Sequence, residues 1–192
     1  MNRSALELSG MLFEQHVATD LLLKFPGSRV LHNLSLYSYW LTNWKGHYTK
    51  TQIDLIFITA FKVYIVEAKR WGLEISGTRD DYTWVGKSNA GSFLRNENPV
   101  QQNLIHFREL RNLLRRNGYT KLPPMESIVC VPNGTHIKTE CKEVMELSHV
   151  TTKMQYDHMM FLEHKSNLQH PIDVKYWDNA ISEVLIKESK MH

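Results

Sequence analysis

The segment YIVEAKRW, residues 64–71, ends a run of β-branched and aromatic residues with an acid and a base, Glu67 and Lys69. In a strand, residues two apart share a face, so these side chains project together. TQIDLIFIT (51–59) and KVYIVEAK (62–69) both read as strands. So little chain separates them that an antiparallel hairpin is the natural connection. If the turn centres between Ala60 and Phe61, paired positions sum to about 121, which sets Asp54 opposite Glu67. Asp54, Glu67 and Lys69 are then expected as one cluster on one face.

Two close carboxylates repel, which raises one pKa unless a cation lies between them. Mg²⁺ suits such a pair, because it takes one or two carboxylates and keeps several waters. It polarises a phosphate oxygen and helps form a hydroxide nucleophile. A neighbouring lysine stabilises developing charge or orients the attacking water. These are the parts of a phosphodiester hydrolase. The competing reading is a plain ion pair at an exposed sheet end. Arg70 and Trp71, just beyond, either touch substrate or close the strand.

Helix faces add candidates. Gly10, Glu14, Val17, Ala18, Leu21 and Phe25 fall along one stripe. A carboxylate inside an apolar stripe needs a partner, such as a metal or Lys69, unless Glu14 lies at the stripe's edge and reaches water. On a second helix, Gln102 and His106 are four apart and stacked. His106 lies within the arc of Leu104, Phe107, Leu110, Leu113 and Leu114, with Gln102 at its border. Both could point into a site at the sheet edge, and a hydrogen-bonded core histidine is the alternative for His106. Arg108, Arg111 and Arg115 form a stripe that could contact phosphates, or a solvated face.

The surrounding elements fit one α+β layer arrangement. Residues 4–25 are expected to be helical, capped by Ser4 and stopped at Pro26-Gly27. RVLHNLSL (29–36) alternates like a strand, and 37–50 reads as an aromatic loop or irregular hairpin. LEISG (73–77) and DYTWVG (81–86) continue the meander, and 87–97 reads as a flexible loop. Residues 98–117 form a helix with Asn98 at the cap, Pro99 in the first turn and Asn117-Gly118 as the stop. ESIVCVP (126–132) is a strand reached by a crossover into the same sheet. Helices are expected over 152–164 and 173–189.

Composition sets wide bounds. The 192 residues carry a net charge of +3, too weak a bias to argue for nucleic acid on its own. Two cysteines lack metal-type spacing. No signal peptide and no membrane-length apolar run is read, so a cytoplasmic protein without a membrane partner is expected.

The ordered set FEQHVATDLL, VLHNLSL, TQIDLIFIT, VYIVEAKRWG, ISG, Trp84 and NPVQQNLIH, within residues 10–117, resembles the nuclease-related domain (NERD) of the PD-(D/E)XK nuclease superfamily. Asp54, twelve intervening residues, then Glu67-Ala68-Lys69 carries the superfamily pattern. Departures are TAFKV, without a glycine, in the turn, and Ile53 rather than proline before Asp54. The resemblance implies a restriction-endonuclease-like core, a central mixed β-sheet flanked by helices in αβββαβ order. That core is expected over 1–132, with 133–192 a helical extension packed on it.

The resemblance also implies roles. Asp54, Glu67 and Glu14 would hold Mg²⁺, or Mn²⁺ in its place. Lys69 would serve the water or the transition-state charge, with Gln102 completing the catalytic set. Arg70, His106 and Arg108 are the candidate nucleic-acid contacts. The expected activity is hydrolysis of DNA phosphodiesters, for which a homodimer would be useful in double-strand cleavage. The alternatives are a nucleic-acid-binding module with a vestigial site, and a protein-interaction domain using the Trp and Tyr residues of 37–48 and the C-terminal helices.

Overall fold

In the computed structural model, which describes residues 5–38, 49–164 and 171–191, the hairpin is the organising element. Strands β2 (Thr49–Ile58) and β3 (Val63–Ala68) pair antiparallel, Leu55 with Val66 through Ile58 with Val63. That is the register expected from the turn position. The turn does without glycine because Thr59 supplies its hydrogen bonds. The Thr59 hydroxyl donates to the Lys62 carbonyl at 2.7 Å and accepts from the Phe61 and Lys62 N–H groups at 3.3 and 2.9 Å.

Around the hairpin are α1 (Ala5–Lys24), β1 (Arg29–Ser38), α2 (Pro99–Arg116) and β7 (Met125–Val131), completing the expected αβββαβ order. β1, β2 and β3 run antiparallel, and β7 joins β3 in parallel through the α2 crossover. The Ser4 cap and residues 39–48 of the aromatic stretch lie outside the described residues. After β7 come β8 (His136–Lys138), β9 (Val144–Glu146), α3 (Leu147–His164) and α4 (Val174–Met191). The segment from 133 on is therefore not helical throughout. β9 extends the first sheet to β1-β2-β3-β7-β9. Three-residue strands are too short to register a period in the sequence.

A second correction concerns 73–97. β4 (Glu74–Ser76) and β5 (Thr83–Lys87) do not continue the first meander, and the expected loop contains β6 (Phe93–Glu97). Together with β8 they make a separate sheet, ordered β6-β5-β4-β8. β6 has no buried face, and its backbone pairing with β5 holds it in place. Apolar periodicity cannot reveal such a strand. Asn98 ties this sheet to α2. Its Oδ1 accepts from the Val100 and Gln101 N–H groups, while its Nδ2 reaches the carbonyls of Thr78, Arg79 and Asp81.

The first sheet is covered on both faces. α1 and α3 bring Val17, Leu21, Val150 and Met154 against Leu55, Phe57 and Val66. α2 and α4 bring Leu110, Leu113, Trp177 and Ile181 against Ile56, Ile58 and Ile65. The alternation slips at one place. Ile53 packs in the same cluster as Ile56, and Leu34 in the same cluster as Leu31, although residues three apart in a regular strand face opposite ways. Asn33 lies in this slip with a φ of 50°, and in the β1–β2 register it falls opposite Asp54.

Two polar devices fasten the layers. Fully buried Asn103 of α2 donates from Nδ2 to the Ile65 and Ile128 carbonyls at 2.9 and 2.8 Å, bridging β3 and β7. At the hairpin turn, Lys62 and Lys153 each pair with both Glu126 and Asp157, and the Tyr64 hydroxyl donates to Asp157 at 2.8 Å. Burial works against the Asp157 charge, but hydrogen bonds from Lys62, Tyr64 and Lys153 hold its carboxyl below the usual range.

Asn103→Leu leaves two buried carbonyls without their donor, so urea denaturation should show a loss of about 2–4 kcal/mol. Asp157→Asn should cost on the order of 2 kcal/mol at pH 7. A depressed folded pKa gives stability that is present above the unfolded value of about 3.9 and lost as pH falls through the folded value. The difference in urea midpoint between parent and Asp157→Asn should therefore disappear on acidification below that range.

Candidate active site

The hairpin register carries Asp54 to the position facing Glu67, where the backbone ladder ends. The Asp54 carboxylate takes over from the ladder there, accepting the Ala68 N–H at 2.9 Å. Glu67 is fully buried. One of its oxygens lies 2.5 Å from Lys69 Nζ, and the other lies 3.3 Å from His106 Nδ1. His106 is also fully buried, and its Nε2 is 2.8 Å from the Thr51 hydroxyl. These contacts are close in distance but not aligned. Among the described residues, neither Glu67 oxygen and not His106 Nδ1 has a properly directed hydrogen bond. The Asn103 Oδ1, on the same helix, is likewise buried without one.

The charges divide unequally. Burial alone would push Glu67 up, but the Lys69 charge and His106 hold its carboxyl below the usual range. Burial would also weaken the Lys69 charge, and Glu67, Asp54 and Glu14 raise its pKa instead. Asp54 goes the other way. Burial first, and the Glu67 charge second, push it up to about 8, against the pull of Lys69. At neutral pH the cluster thus holds an ionised Glu67, a cationic Lys69 and a protonated Asp54.

Glu14 reaches the same place from α1. It is partly buried, and its pKa is raised by burial, opposed by Lys69 and assisted by Glu67. With Lys69 and Arg70 it lines a cleft of 740 Å³, which Trp71 and Leu94 and Asn96 of β6 also line. Asp54, Glu67, Lys69 and Glu14 are therefore brought together. Among the described residues, no three His, Cys, Asp or Glu side chains converge as a complete ligand set. The acids brought together are the Asp54–Glu67 pair, with Glu14 beside it.

The remaining candidates separate. His106 has no exposed surface to offer a polynucleotide, and its place is against Glu67. Arg70 is exposed at the cleft. Arg108 is exposed on the outer face of α2 with Arg111 and Arg115, where they line a different hollow of 660 Å³. Arg111 lies over the Phe107 ring, 5.3 Å from its centre. Gln102 is half-buried on α2, and the polar contacts from that helix to the site and sheet run through His106 and Asn103. Asn103 went unread in the sequence. Its signal was an amide one turn before His106, inside the apolar arc.

No curated protein and no solved structure matches the chain. One family description does match, the nuclease-related domain, over residues 9–132. The match covers more than half of the chain and includes Glu14, Asp54, Glu67, Lys69 and the whole of α2. On that match and the αβββαβ core, the protein belongs to the nuclease-related domain family and has its restriction-endonuclease-like fold.

Proposed function

We propose that the chain is a Mg²⁺-dependent nuclease that hydrolyses phosphodiester bonds in DNA. The observation that carries this reading is the Asp54–Glu67 pair, in which both buried Glu67 oxygens lack directed hydrogen bonds beside a half-buried Lys69. Unsatisfied buried acceptors are costly and are retained where another partner is to be bound. A carboxyl that keeps its proton up to about 8 is one that gives it up to a cation. Mg²⁺ fits such a pair better than zinc, since it needs few protein oxygens and keeps its waters.

Asp54 and Glu67 would hold the ion, with Glu14 in reach of its waters. So placed, Mg²⁺ supplies Lewis-acid polarisation of the phosphate and a more acidic water. The chain's own groups do the rest. Lys69 Nζ donates to the phosphate oxygen that gains charge, or orients the attacking water. His106, anchored on Thr51, keeps the Glu67 carboxylate turned toward the site. The Ala68 N–H fixes Asp54. Arg70 attracts the phosphate backbone at the cleft mouth.

One observation favours a second reading, a binding module with a vestigial site. Lys69 already neutralises Glu67 without a metal, and His106 lies against its other oxygen. The two readings part on cleavage. Asp54→Asn, Glu67→Gln and Lys69→Met should each slow Mg²⁺-dependent nicking of supercoiled plasmid by at least about 100-fold, with circular dichroism unchanged. Parental rates in all three would remove the assignment. Mg²⁺ should also stabilise the parent against heat, by about 2.7 kcal/mol at a hundredfold excess over its Kd. That gain should be lost in Asp54→Asn and Glu67→Gln.

A further inference from the structure

We propose that the cleft beside Asp54 and Lys69 receives an unpaired nucleobase, so that the substrate is single-stranded or locally unpaired DNA. This rests on the nuclease reading above and adds the substrate class. The cleft joins an aromatic ring, amide groups and cations, the chemistry that takes a base and its phosphate together.

The aromatic ring is Trp71, and its position is built. A Cβ at Gly86 would lie 2.5 Å from the Trp71 Cβ, so the tryptophan rests directly on the β5 backbone. The indole is only partly buried and forms one wall of the cleft. Base stacking on such a ring is sequence-tolerant, because every base has a π-face.

The amides are Asn33, Gln52 and Asn96, all on the cleft lining. Gln52 Nε2 donates to Asn33 Oδ1 at 2.7 Å. Two amides joined by one such bond keep a donor edge and an acceptor edge for another partner, the pairing that base edges present. Asn33 reaches this position at a φ of 50°, uncommon for a residue other than glycine and expected where function holds the backbone. Independently, the Asn96 Nδ2 is buried in the protein without an acceptor, although it belongs to a side chain that lines the cleft. A base carbonyl or ring nitrogen would satisfy it.

Lys69 and Arg70 place cations beside this pocket, where the phosphate of the same nucleotide would lie. A paired duplex base has both its faces and its Watson–Crick edge occupied, so it cannot enter without being extruded. The arginine face of α2 differs in kind, because no aromatic ring among the described residues lines its hollow to stack a base, and its charge reads phosphates.

The test is binding by the full-length chain in EDTA, where no cleavage intervenes. The probes are fluorescein-labelled oligothymidylate, an oligomer of abasic sites of equal length, and a blunt duplex. Oligothymidylate should bind about tenfold more tightly than either comparison probe. Trp71→Ala, and Asn33→Ala with Gln52→Ala, should each remove most of that margin and leave the abasic affinity unchanged. Trp71→Phe should restore it, which separates stacking from a folding defect. Equal affinity for the thymidylate and abasic strands overturns the pocket. So does an equal loss for both in the variants, or no binding to any probe. A base margin with no cleavage of any DNA in Mg²⁺ would leave the pocket standing and remove the nuclease reading. Cleavage without a base margin would do the reverse.

Discussion

The fully buried carboxylate of Glu67, at the end of the central strand, is the constraint around which the rest is arranged. An ionised group without water is tolerated only when opposite charge and hydrogen-bond donors surround it. Lys69 comes from the same strand two residues on, and His106 comes from the crossover helix. Asp54, facing Glu67 across the hairpin, has no cation of its own and keeps a proton. The strand end must also be immobile, since a small shift would separate charges that depend on contact distance. Helices pack on both faces of the sheet, and Asn103 ties α2 to two strands at the level of the site.

The hairpin and its acid pair were legible because three signals agreed. The β-branched runs were long, the turn was short, and a two-residue spacing fixes a shared face. Helix α2 was legible from its Asn-Pro start, although not the other half of what Asn98 does. The same amide that caps the helix also gathers three carbonyls of the loop between β4 and β5. His106 fell where the apolar arc put it, and the burial that made it a candidate also removes it from direct contact with a polynucleotide. Gln102 and Asn103 show how finely a helix face divides. Adjacent amides differ by 100° around a helix, and only the packing decides which one enters the sheet.

Other features left no trace in the sequence. The change of sidedness at Asn33 and Asp54 depends on one backbone angle, and asparagine is too common in loops and strands to announce it. β6 is held by its partner's backbone and displays no apolar face. Yet it supplies Leu94 and Asn96, so this part of the cleft lining was not available to periodicity. The second sheet is more than decoration on a nuclease core. Through Leu94 and Asn96 it lines the cleft that Glu14 and Lys69 also line.

The short strands after the family match have a consequence for the sheets' borders. A strand at the rim presents unpaired amides and carbonyls that a second chain can use. β9 covers the free side of β7, and β8 covers the free side of β4. Both lie beyond residue 132, where the family resemblance stops. A fragment ended at that residue would retain every acid and the lysine of the site. It would also present two long-sheltered strands to solvent as templates for its neighbours. Residues 133–146 therefore supply the outermost strand at one border of each sheet, and without them that border falls to β7 and β4.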